Sequence, residues 1–168
     1  MLTLHTKLAQ ADVLYGVLEL PYDLREKCRL RATLLSGEEV AVFMERGSVL
    51  RDGELLTGAG GRVIRVVAIA EPLYEVHCAS SLIFARCAFH LGNRHTQVQI
   101  ADAVLRMRID PVLRDMVERL GATVAEALAP FEPEPGAYGA AGHSHGNHLL
   151  APVPLRQKIH RPADPAAA

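Results

Sequence analysis

Two groups of histidines carry the residues best able to do chemistry. His90 and His95 bracket the stretch "HLGNRH", and His143, His145 and His148 crowd into "GHSHGNH". Neutral imidazole is a good ligand for borderline divalent metals, and closely spaced rings on a pliant backbone can turn toward one ion. The second group therefore reads as a metal-capture segment, against the plainer reading of an inert polar tail. Its histidines are interspersed with other residues, and 20 residues follow His148, which argues against an expression tag.

His90 and His95 are harder to place on one ion. Five positions apart across a glycine, they fall on different elements, and two imidazoles do not fill a four-coordinate shell. A two-fold dimer changes that count, because an isologous contact brings the same histidine from both subunits to the axis. The plainer reading makes one a helix-end residue and the other a surface or interface histidine. His77 and Cys78 are adjacent on a strand, face opposite ways and read as structural, while His5 and His160 stand alone. Asp110 and Asp115 read as a helix cap and an exposed helical residue, not as an acid–base pair.

The elements that must position these groups come in two halves. From Leu18 to about Ala70, short apolar runs alternate with turn signals, and "RLRATLL", "EVAVFM" and "RVIRVVAIA" follow a two-residue period. This half reads as all-β, with Asp52-Gly53 as its sharpest hairpin signal and "GAGGR" as a hairpin connection. Beyond Glu71, "PLYEVHCA" reads as a strand and "SSLIFARCAFHLG" as a helix. That helix is capped by Ser80 or Ser81, shows Leu82, Ala85 and Phe89 on one apolar side, ends just after His90 and stops at a left-handed Gly92. "HTQVQI" follows as a strand with His95, Gln97 and Gln99 on its polar face, so His95 is the better candidate for a symmetry axis. "VLRMRI" is the next strand. Asp110-Pro111 opens a helix with Val112, Leu113, Met116, Val117 and Leu120 on one side and Gly121 at its end. "ATVAEALA" suits a last strand, although its alanines also suit a helix.

The fold class is thus α+β. An all-β domain (residues 1–70) precedes a ferredoxin-like βαββαβ domain (71–131), and a proline-, glycine- and alanine-rich histidine tail (132–168) is expected to be disordered.

Composition narrows the function further. With 168 residues, 49% of them hydrophobic, the chain can bury a core. A net charge of -1, 18 basic against 19 acidic residues, 5% aromatics and no basic block argue against nucleic acid. No apolar run approaches the roughly 20 residues that cross a bilayer, and no leader pattern opens the chain, so no membrane role and a cytoplasmic location are expected. Three widely spaced cysteines (Cys28, Cys78 and Cys87) suggest reduced thiols, not a disulfide framework or a zinc site. The phosphate loop G-x-x-x-x-G-K-[ST] and H-E-x-x-H are both missing, so no enzyme chemistry is expected.

"HLGNRH" after a short helix, then "PFEPEPGAYG" and a histidine-bearing tail, resembles the UreE family of urease accessory proteins, which are nickel metallochaperones. "LPYDLREKCRLRATLLSGEEVAVFMERGSVLRDGELL" is similar to that family's first domain, and the resemblance covers roughly residues 15–145. It implies a β-rich, peptide-binding-like domain joined to a ferredoxin-like domain that dimerises. His95 would meet its symmetry mate and hold nickel, with His90 as a lesser ligand. It further implies delivery of nickel to the urease apoprotein complex with the GTPase UreG and other accessory proteins. In "RMRIDPVL" the extra histidines of some relatives are absent, and the tail is shorter in histidine than theirs, so a handful of ions per homodimer is expected.

The expected mechanism pairs two His95 side chains in a sparse interfacial site that tail histidines or water complete. About 11 residues from the folded domain to His143 give a root-mean-square reach of roughly 18 Å if that linker is flexible. Ligation needs neutral imidazole, so binding should weaken as pH falls through the histidine range. Nickel itself comes from the resemblance, since such a site would also take zinc or copper in vitro. The competing reading is a metal-independent peptide-binding or scaffold protein for assembly of a partner enzyme.

Overall fold

A computed structural model describes residues 1–135. Its first half is built from β1 (Leu2–Leu4), β2 (Thr6–Leu8), β3 (Gly16–Leu20), the one-turn α1 (Tyr22–Arg25), β4 (Arg29–Thr33), β5 (Glu39–Phe43), β6 (Leu55–Thr57) and β7 (Ile64–Ala68). They form two sheets, ordered β1-β5-β4 and β2-β6-β7-β3. Alternation drives Leu18 and Leu20 of β3 and Ile64 and Val66 of β7 into the space between the sheets, where they meet Leu4, Val40, Val42 and Leu56. Strands β1 and β2 lie ahead of Leu18, where the sequence pattern first becomes clear. The β6–β7 hairpin closes through the "GAGGR" stretch as expected. There a Cβ on Gly58 would sit 1.7 Å from the Thr3 carbonyl oxygen, so only glycine fits. Asp52-Gly53 is a turn with Gly53 at φ 77, but it is not a hairpin, because β5 and β6 belong to different sheets. The Asp52 carboxylate instead accepts the Ala68 N–H at 2.8 Å.

The second half runs β8 (Ala70–His77), α2 (Ser81–Gly92), β9 (Gln99–Ala101), β10 (Val104–Arg108), α3 (Pro111–Arg119) and β11 (Thr123–Pro130). Its sheet is antiparallel throughout in the order β11-β8-β10-β9, the ferredoxin-like arrangement. Ser80 caps α2 by accepting the Ile83 N–H, and Asp110 caps α3 by accepting those of Val112 and Leu113. Gly121 takes the left-handed turn (φ 99) after α3. The alanine-rich β11 is a strand because it pairs along its full length with β8.

Two helix faces differ from the expected ones. Leu82 (68% exposed) and Phe89 (65%) point outward, while Cys87 and Leu91, with Ile83, Phe84 and Ala88, pack on the sheet. Val112 is likewise exposed, and Leu113 and Val117 carry the contact of α3. A one-sided spacing of apolar residues fixes a period but not which flank meets the sheet.

The chain stays pinned beyond Pro130. Phe131 is fully buried edge-on to the Tyr22 ring, and Glu132 accepts from Arg25 and Arg51. Arg25 has no exposed surface, and it also donates to the carbonyls of Leu20, Leu50 and Phe131. A buried guanidinium is tolerated only where its donors are met, and here Nε, Nη1 and Nη2 each have an acceptor.

Candidate metal centre

The chain leaves α2 through a tight reversal. His95 N–H donates to the Gly92 carbonyl at 2.9 Å and Thr96 N–H to that of Leu91 at 3.3 Å, the paired bonds of a Schellman ending. The left-handed residue of that ending is His95 (φ 55), not Gly92, and α2 continues two residues past His90. His95 therefore stands on a turn and not at the start of a strand, because β9 begins only at Gln99. The turn throws its imidazole into solvent. Gln97 and Gln99 hold the following segment in place: Gln97 Nε2 donates to Glu26 at 2.9 Å, and Gln99 Oε1 accepts the Glu132 N–H at 2.9 Å.

His95 lines a groove of about 370 Å³ with Gly92, Gln97, Val98, Ile100 and Glu134. Glu134 arrives there because its N–H donates to the Val98 carbonyl at 2.9 Å. His90 faces elsewhere. It is half-buried against the Phe89 ring (centroids 5.3 Å apart) and lines a separate groove of about 470 Å³ with Arg94, Asp115, Met116 and Arg119. The two imidazoles of "HLGNRH" do not converge within one chain. His143, His145 and His148 lie outside the described residues.

Two of the three thiols are shielded, and His77 has a carboxylate beside it. His77 is 47% exposed and 3.7 Å from the Glu75 carboxylate. Burial pushes the Cys87 thiol up to about 11, and burial raises Cys78 beside it, which keeps both protonated and poor ligands at neutral pH. Among the described residues, no three His, Cys, Asp or Glu side chains gather into a cage. His95 can thus offer one nitrogen on an accessible rim, which suits a shared or transient ion better than a permanent one. Sequence reasoning missed Glu134 and the Arg25–Glu132 pairing. The only signal was the "FEPEP" stretch, whose glutamates bracket a proline in a segment that composition reads as tail.

Two family models match the chain: the N-terminal domain of the UreE urease accessory protein over residues 3–69, and its C-terminal domain over residues 71–160. Among curated relatives, the urease accessory protein UreE of Janthinobacterium sp. (strain Marseille) is 60% identical over 169 residues, covering 99% of each chain. That of Nitrosospira multiformis is 52% identical over 172 residues, covering 98% of each. That of Ectopseudomonas mendocina is 49% identical over 149 residues, covering 88% of this chain and 89% of its own.

Proposed function

The chain belongs to the UreE family of urease accessory proteins, and on that premise we propose that it is a nickel-binding metallochaperone whose His95 side chains form an interfacial site in a homodimer. It serves urease maturation as an accessory chaperone and is not itself an enzyme. The observation that carries the nickel reading is the placement of His95: an exposed imidazole on a left-handed turn, in the groove that also receives Glu134. Glu134 precedes His143 by nine positions, a stretch that can span at most roughly 32 Å. That reach lets His143, His145 and His148, which lie outside the described residues, be proposed as further ligands. In this reading they supply further nitrogens to the ion, with His90 as a lesser ligand outside the groove.

Nickel is cargo in this reading. A site completed only by a second chain and by a tethered segment holds an ion through few preformed contacts and can pass it on, here to the urease apoprotein complex with UreG and other accessory proteins in the cytoplasm. Among the described residues, no helix is long and apolar enough to cross a membrane. Calorimetric nickel titration of the full chain and of His95→Ala tests the centre: the variant should lose the tightest site. Unchanged affinity and stoichiometry would sink the proposal and favour metal-independent peptide binding. That alternative has its own support in the groove of Val13, Leu14, Tyr15 and Arg62 on the first domain, where Val13 is 77% exposed.

A further inference from the structure

The groove beside His95 holds a second group able to ligate a metal. Glu134 is exposed, and it makes no ion pair among the described residues. Gln97, which shares the groove, has its amide nitrogen committed to Glu26. The backbone that carries Glu134 is held at two points. Upstream, Arg25 and Arg51 hold the Glu132 carboxylate, and Arg51 Nη1 also donates to the Pro133 carbonyl at 2.8 Å. At Glu134 itself, the N–H is bonded to Val98. Pro133 is buried, and its ring fixes φ between those anchors. The carboxylate is thus delivered to the groove by a fixed segment, at little ordering cost when an ion arrives.

We propose that Glu134 is an oxygen ligand for the ion held by His95, an inference that rests on the nickel-carrier reading. The chemistry favours it: imidazole nitrogen suits nickel, copper and zinc, and a carboxylate adds an oxygen donor and a negative charge beside the dication. Each protomer then contributes one nitrogen and one oxygen. A two-fold pair contributes two of each, enough for a four-coordinate shell before any tail residue is used. The two carboxylates also balance the double charge of the ion, which histidines alone leave uncompensated.

The test uses the full-length chain and nickel alone. Glu134→Gln, which keeps size and polarity, should weaken the tightest site about tenfold or more. Glu134→Cys should develop a thiolate-to-nickel charge-transfer band in the near ultraviolet that the wild-type chain, with its own three cysteines, does not show, and that the added change His95→Ala abolishes. If Glu134→Gln binds as wild type and Glu134→Cys gives no band while His95→Ala still loses the site, the role of Glu134 is overturned and the carrier reading stands. If His95→Ala binds normally, both fall together.

Discussion

At the scale of single residues, His95 is held where side chains are rarely found. A left-handed φ costs a residue with a Cβ roughly 1–2 kcal/mol, and helix endings of this form usually place glycine there. Such strain persists where the site requires the side chain. His95→Gly should therefore separate two properties that are normally lost together. It should remove nickel affinity while raising stability by up to about 1 kcal/mol, read as a higher urea midpoint. A variant that loses both would show that the imidazole supports the fold, and the strain argument would fail. Sequence spacing could not reveal this position. "HLGNRH" offers a glycine three residues earlier, and the rule that glycine ends helices pointed to it.

At the scale of elements, the second half was legible because each element announces its own ends. Ser80 and Asp110 cap, Gly121 stops, and the apolar period switches between two and helical spacing. The order strand, helix, strand, strand, helix, strand then leaves few topologies. The inner face of α2 was not legible, because Leu82 and Phe89 continue the apolar pattern around the outside of the helix. The true contact centres on Cys87, which burial seals between α2 and the sheet. Its thiol stays protonated in the fold up to about 11, against 9.0 when exposed. Above pH 9 the unfolded chain releases this proton first, so stability should fall as pH rises from 9 toward 11, by at most about 1.4 kcal/mol per pH unit. Urea unfolding of wild type and Cys87→Ala at several alkaline pH values checks this. The variant should start less stable but decline less steeply, and parallel declines would place the alkaline sensitivity elsewhere.

At the scale of the whole molecule, a buried arginine sits at the join between the two halves. Arg25 comes from the single turn of helix in the first half, and its partners Phe131 and Glu132 follow the last strand of the second, 106 and 107 positions away. No local pattern in "YDLREK" marks Arg25 as buried, and its acceptors are mostly backbone carbonyls, which carry no residue signature. Arg51, which shares the Glu132 carboxylate with Arg25, also donates to the Pro133 carbonyl, so the join between the halves also aims the chain at the His95 groove. Removing the carboxylate leaves Arg25 with its three carbonyls but without countercharge. Breaking one side of a buried pair typically costs about 3–5 kcal/mol, and the remaining carbonyls keep Glu132→Ala near the lower end of that range. Arg25→Met in the same chain should recover part of the loss, because no unpaired charge then stays buried. If Glu132→Ala costs less than about 1 kcal/mol in chemical denaturation, the pair is no stronger than a surface ion pair. The course of the chain past Phe131 would then have to be fixed by the Tyr22–Phe131 contact and by the bonds to Val98 and Gln99 instead.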